Sequence, residues 1–185
     1  MELFDIVDAR GVPTGETIPR EEAHARGIRH RTAHVWVVRG GARREVLLQK
    51  RSANKDSFPG LYDTSAAGHI QAGDAPLESA LRELGEELGI RAAPEELTFA
   101  GTFRIRYDEV FHGRPFHDDE VSFVYVYQRP VDAERLSLQA EEVEAVAWFD
   151  MEEVLTECRR GSDRFCVPVG GLEVLKRYLE SETAR

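Results

Sequence analysis

The chain has 185 residues, with 24 Lys and Arg against 34 Asp and Glu, for a formal net charge of −10. That balance argues against non-specific binding to nucleic acid or to an anionic membrane surface, and no apolar run approaches the roughly 18 residues of a membrane span. Cys158 and Cys166 are too few for a disulfide framework and are expected as reduced thiols; the N-terminal MELFDIVDARG carries acids where a secretory signal carries Lys or Arg, so a soluble cytoplasmic protein is the expectation.

The length suits one domain with a substantial core. Residues 2–7 alternate weakly and end at Asp8-Ala9-Arg10-Gly11, which predicts a short edge strand and then a loop through Pro13 and Gly15. Residues 19–25 suit one or two helical turns ending at Gly27. Residues 32–38 (TAHVWVV) and 45–49 (EVLLQ) are β-rich, with RGGAR between them as a hairpin connection. A further strand is expected over residues 61–67. From Gly68 to Ile90 a glycine-rich turn feeds an amphipathic helix, in which Leu77, Ala80, Leu81, Leu84 and Leu88 recur at helical spacing. Strands follow over residues 97–107 and 120–128, joined by the long polar stretch DEVFHGRPFHDD. A loop of that length in a compact domain is usually functional or mobile. Residues 144–149 read as a strand, 151–159 as a helix, and Pro168 opens a last helix through about Leu179 with Pro in its first turn. The pattern is α/β with a mixed sheet.

Glu83, Glu86 and Glu87 lie three or four residues apart on the predicted helix, so their carboxylates share a neighbouring face. Like charges at that spacing destabilise a helix by a few tenths of a kcal/mol per pair, roughly, unless a cation fills the gap. Carboxylate oxygens are hard ligands of the kind Mg²⁺ and Mn²⁺ prefer. Gly68, an acid at 74, Arg82-Glu83, Glu86-Glu87 and Gly89-Ile90 stand in fixed register. This segment resembles the Nudix box, G-x5-E-x7-R-E-U-x-E-E-x-G-U with U aliphatic, and departs from it only where Asp74 replaces Glu. Asp74 precedes the helix, where its carboxylate suits pairing or capping. The resemblance implies an α/β/α sandwich with a mixed central sheet, as a single Nudix domain over residues 1–185. Residues 1–29 would be an N-terminal strand and loop extension, 30–150 the core and 151–185 the C-terminal helices. It also implies hydrolysis of a phosphoanhydride in a nucleoside diphosphate or other small organic diphosphate, dependent on Mg²⁺ or Mn²⁺. In that reading Glu83, Glu86, Glu87 and the Gly68 carbonyl hold the metal, and Arg82 pairs with a box carboxylate to fix its rotamer.

The flanks resemble a particular branch of that family, the isopentenyl-diphosphate isomerases, over roughly residues 30 to 150. Lys50-Arg51, Lys55, Phe58-Pro59-Gly60 and Ser65-x-x-Gly68-His69 carry the likeness. By resemblance Arg51 and Lys55 hold the substrate diphosphate. His30, His69, Asp118 and Glu120 fall where the isomerases keep a second metal site; their remaining histidine is not in register here, and His24 is the nearest substitute, off by about one residue. Such a set suits Zn²⁺ or Mn²⁺. Two departures point to hydrolysis instead of isomerisation. Ala67 stands at the position of the isomerase cysteine, and Ile105 aligns with its partner tyrosine. Neither side chain can supply an acid or a base, whereas Glu83, lost from the box in true isomerases, is retained. Glu120 and Glu83 are the candidate general bases, and the catalytic set is Arg82, Glu83, Glu86 and Glu120. Arg104 and Arg106 share one face of a strand, and Phe58, Tyr62, Tyr107, Phe111 and Phe116 offer aromatic surface for a base. A non-catalytic diphosphate sensor would require a damaged box, and this one is nearly intact.

Overall fold

In the computed structural model, which describes residues 2–41, 43–55 and 57–184, the chain opens on an antiparallel hairpin of β1 (Leu3–Val7) and β2 (Pro13–Pro19). The second strand replaces the loop expected through Pro13 and Gly15. Of its residues only Ile18 is buried, so its composition gives no strand signal and pairing with β1 creates it. Helix α1 (Arg20–Arg26) follows and stops at Gly27, whose φ of 63° is left-handed and returns its N–H to the Ala23 carbonyl.

Strand β3 (His30–Arg39) is buried at every position but the last. It continues through the expected RGGAR connection, whose Ala42 lies outside the described residues, into antiparallel β4 (Glu45–Arg51). The strand expected over residues 61–67 divides into β5 (Tyr62–Asp63), paired with β4, and β6 (Ala66–His69), paired with β3. Ser65 explains the division: its hydroxyl donates to the Leu47 carbonyl and accepts from the Val37 N–H at 2.8 Å, bridging β4 and β3 at the point where the chain crosses. Helix α2 (Pro76–Leu88) comes next.

Strands β7 (Leu97–Phe111) and β8 (Arg114–Tyr127) form one long hairpin, paired from Leu97 opposite Tyr127 to Phe111 opposite Arg114. Residues 108–119 are therefore not the loop their polarity suggests. The turn is confined to His112 and Gly113, both at positive φ (50° and 74°), as a two-residue hairpin turn requires. Strand β9 (Val143–Asp150), helix α3 (Met151–Arg159) and helix α4 (Val169–Thr183) complete the chain. Asp150 caps α3 by accepting from the Glu152 and Glu153 N–H groups, each at 3.0 Å. Pro168 is the N-cap of α4, one position before its first turn.

The main sheet has seven strands, in the order β5-β4-β3-β8-β7 with β6 also on β3 and β9 on β4; β3 and β8 run parallel and the other pairs antiparallel. Alternation along β3 sends Ala33, Val35 and Val37 toward Ala80, Leu84 and Leu88 of α2. It sends Trp36 and Val38 to the opposite face, against Val154 and Leu155 of α3 and Leu172 and Leu175 of α4. Each of the Val and Leu side chains among these contributes about 1.5–3 kcal/mol on burial. The result is the expected α/β/α sandwich with a mixed central sheet. No helix among the described residues is long and apolar enough to cross a membrane, and Cys158 and Cys166 are free thiols.

Candidate active site and metal centre

Helix α2 buries its leucine stripe and turns Arg82, Glu83 and Glu87 toward β6. Three consecutive residues of that short strand meet them. The Ala67 N–H donates to Glu87 Oε2 at 3.0 Å, and the Gln49 amide donates to the same oxygen at 2.8 Å. At Gly68 a Cβ would lie 2.2 Å from the Glu83 carboxyl carbon, so only glycine lets that carboxylate rest on the strand. The His69 carbonyl accepts from Arg82 Nη2 at 3.2 Å, while Arg82 Nη1 reaches Glu83 at 2.7 Å and Glu86 at 3.2 Å. Burial, with Glu83 nearby, pushes the Glu87 carboxyl up to about 8. Burial also raises Glu83 despite the adjacent guanidinium. Burial thus disfavours the charge on both carboxylates, and a nearby cation would favour it. Glu86 stands exposed at its rim. Asp74 does not cap: the N-cap of α2 is Ala75, without a side-chain hydrogen bond, and the Asp74 carbonyl accepts from Arg31 at 3.2 Å.

The second cluster lies on the other face of the sheet. His30 opens β3, Glu120 is its neighbour on β8, His69 ends β6 and His24 comes from α1. One ligand atom from each of these four lies within 4.8 Å of every other. Asp118 Oδ1 is 3.9 Å from both His24 Nε2 and His30 Nε2, and Glu120 Oε1 is 3.6 Å from His30 and 3.5 Å from His69. The second nitrogens are already committed. His24 Nδ1 faces the Arg20 carbonyl at 3.0 Å and His30 Nδ1 the Ile28 carbonyl at 2.9 Å. A carbonyl only accepts, so Nδ1 carries the proton in both rings and Nε2 of the neutral ring presents a lone pair; burial lowers His30, but the Glu120 carboxylate beside it outweighs this and raises it above its usual value. His24, His30 and His69 Nε2 and Asp118 Oδ1 are all buried without a hydrogen-bond partner. Converging orphan lone pairs beside two carboxylates fit a metal ion with mixed nitrogen and oxygen ligands. Burial, with His69 and His30 close by, lowers His24 to about 3, and burial with Glu120 raises Asp118 to about 8. Burial opposes ionisation of Glu120 too, but the His30 and His69 imidazoles beside it hold it well below the usual carboxylate range.

The one-residue offset of His24 is absorbed by α1, whose glycine cap returns the chain to β3. The N-terminal hairpin, read from sequence as an extension, closes this centre. Phe4 is fully buried and stacks on His30 at 4.7 Å and on His69 at 4.6 Å between ring centroids. Tyr107, paired across from Asp118, hydrogen-bonds that carboxylate, and the Thr32 hydroxyl lies 3.1 Å from Glu120. Alternation along β7 and β8 would have placed Tyr107 had the hairpin been recognised; nothing in the sequence marks Thr32 or Gln49.

Glu120 thus sits with the histidines, not with the box. Arg51 lies beside β5, bonded to Asp63 at 3.1 Å and to the Ser57 carbonyl and hydroxyl at 3.0 Å each. Lys55 is ion-paired to Glu142. Arg104 is not a free cation: with Arg29 it grips Asp119, Arg104 at 2.7 and 2.8 Å and Arg29 at 3.1 Å through both nitrogens. Arg106 is exposed. Phe58, Tyr107, Phe111 and Phe116 form one run of ring contacts that ends on His24, whereas Tyr62 packs elsewhere, with Phe149 and Phe165.

Residues 28–166 match the family model described as the NUDIX domain. Nudix hydrolase 3 of Arabidopsis thaliana is 41% identical over 154 residues, which cover 82% of this chain but 20% of that protein. An isopentenyl-diphosphate Delta-isomerase of Cereibacter sphaeroides is 33% identical over 159 residues, covering 86% of this chain and 82% of the relative, in agreement with the likeness of the flanks. Among solved structures, DR0079 from Deinococcus radiodurans superposes with a TM-score of 0.68 at 18% identity, covering 95% of this chain and 98% of that one. At that identity the match speaks for the fold.

Proposed function

The chain belongs to the Nudix family, and from that premise we propose that it is a divalent-metal-dependent hydrolase cleaving a phosphoanhydride bond in a nucleoside diphosphate or another small organic diphosphate. The observation that carries this reading is the pair Glu83 and Glu87, pressed against β6 with the ionisation of both opposed by burial and that of Glu87 opposed further by Glu83. Glu83, Glu86, Glu87 and the Gly68 carbonyl would hold Mg²⁺ or Mn²⁺ through oxygen alone, as those ions prefer. When bound, the ion neutralises diphosphate oxygens and lowers the pKa of a coordinated water. Arg82 fixes the Glu83 carboxylate by their 2.7 Å contact and ties it to β6 through the His69 carbonyl. Glu83 takes the proton of the attacking water; Glu120 is the weaker candidate, held by Thr32 and two histidines. Arg51 and Lys55 receive the diphosphate by exchanging their present carboxylate partners for phosphate oxygens. His24, His30, His69, Asp118 and Glu120 would hold a second ion, Zn²⁺ or Mn²⁺, that braces this end of the sheet.

The isomerase reading draws support from that histidine centre and from the named relative. It lacks a proton donor and acceptor across the substrate, since Ala67 and Ile105 offer neither. Incubation with Mg²⁺ and a panel of diphosphates, followed by phosphate detection, tests the hydrolase; a sensor binds without product. Supplying isopentenyl diphosphate and searching for the allylic isomer by chromatography tests the isomerase. Residues 1–185 are proposed as a single Nudix domain acting on small molecules in the cytoplasm.

A further inference from the structure

The box and the histidine centre leave His34 unexplained. Two-residue alternation places His30, Thr32 and His34 on one face of β3. Pairing sets His34 between Ala67 of β6 and Val124 of β8, one rung beyond Thr32, His69 and Ser122. The imidazole is 5% exposed, meets Phe103 edge-on at 5.4 Å between centroids, and its Nδ1 has no hydrogen-bond partner. A buried polar nitrogen left unpaired weakens a fold, and its neighbour on this rung is an ordinary valine. Burial holds the ring below its usual pKa, with Glu120, Asp63 and His69 the titratable groups whose fields reach it. It is therefore neutral, with one N–H and one lone pair to offer.

Ala67 is small and partly exposed, and its N–H is the group that binds Glu87 of the box. A diphosphate held at the box edge, with Arg51 and Lys55 beyond, would extend its organic group across Ala67 toward His34, its partner on β3. We propose that His34 is a specificity determinant that hydrogen-bonds this organic group, so that the substrate carries a nitrogen or oxygen there, as a nucleobase or sugar does and a hydrocarbon does not. This rests on the diphosphate hydrolase reading and narrows its substrate. A hydrocarbon seated over Ala67 would leave the imidazole unpaired, and sites built to hydrogen-bond a substrate reject analogues lacking the partner far more strongly than apolar pockets reject a change in size.

The test is calorimetric binding, with Mg²⁺ present, of methylene-bridged nucleoside diphosphates with the four common bases and of methylene-bridged isopentenyl diphosphate. The intact chain is compared with His34→Leu, which removes the hydrogen bond, and with His34→Asn, which keeps an amide in its place. The wild type is expected to bind at least one nucleoside analogue about tenfold or more tighter than the alkyl compound. His34→Leu should erase that ratio by weakening nucleoside binding alone, and His34→Asn should retain part of it. A wild-type preference for the alkyl analogue, or equal losses for both classes in His34→Leu, overturns the proposal. Phosphate release from the unmodified diphosphates is followed in parallel; turnover with an unmoved binding ratio would leave the hydrolase standing and remove His34 from its specificity.

Discussion

Replacing Glu87 by glutamine isolates the charge at the box without altering its shape. Glu87 is 6% exposed and its Oε2 accepts from Gln49 and Ala67; the glutamine carbonyl can take both bonds. The rise of the carboxyl from 4.5 to about 8 through burial and Glu83 is worth about 5 kcal/mol as an upper figure, at about 1.4 kcal/mol for each tenfold in proton affinity. The folded protein then binds a proton that the unfolded chain releases above 4.5. That stability is fully present below 4.5 and is lost as pH rises through about 8. Thermal unfolding of metal-free wild type should show a falling Tm between these limits, and addition of Mg²⁺ at pH 8 should restore it. Glu87→Gln should flatten the decline, remove the Mg²⁺ effect and lower phosphate release by about 10²-fold or more, comparable to losing one preorganised electrostatic contact. Turnover within threefold of wild type, or an unchanged pH dependence of Tm, would refute the reasoning.

Gly68→Ala should leave the unfolding free energy within about 1 kcal/mol of wild type, because the obstructing atom is the end of the flexible Glu83 side chain; its Mg²⁺ affinity, read by calorimetry, should fall about tenfold or more as that carboxylate is displaced. His30→Ala should abolish retention of a transition metal through gel filtration, measured by elemental analysis, while leaving the box glutamates in place. Mn²⁺ affinity at the histidine centre should rise with pH up to about 8, where Asp118 loses its proton, and calorimetry in two buffers of different ionisation enthalpy should register the released proton. Asp119→Ala strands Arg29 and Arg104 together and should lower the urea midpoint, by less than loss of a fully buried pair because Arg29 is 24% and Arg104 45% exposed.

The box was legible because its chemistry is written within 23 consecutive residues, on a helix whose period is visible in the leucines. Strand β3 and helix α3 were legible for the same local reason. The histidine centre was legible only in part. Its ligands come from α1, β3, β6 and β8, and a one-residue shift before Gly27 put His24 out of register until the helix cap took up the difference. The β7–β8 hairpin was hidden because its outer half is exposed and polar, so alternation is carried by half-buried Tyr107, Phe111 and Phe116 and not by a hydrophobic run. Strand β2 depends on the β1 edge beside it, and the split of residues 61–67 on the bonds of Ser65 to Leu47 and Val37, 18 and 28 residues back. Composition carries no trace of such long-range pairing.

Metal-dependent hydrolysis is read by following orthophosphate or nucleotide monophosphate from a nucleoside diphosphate panel with Mg²⁺, with EDTA and with Glu83→Gln in place of wild type. Product is expected with at least one substrate, suppressed by chelation and by the substitution. Tight binding of a diphosphate with no product under any divalent ion would contradict metal-dependent hydrolysis.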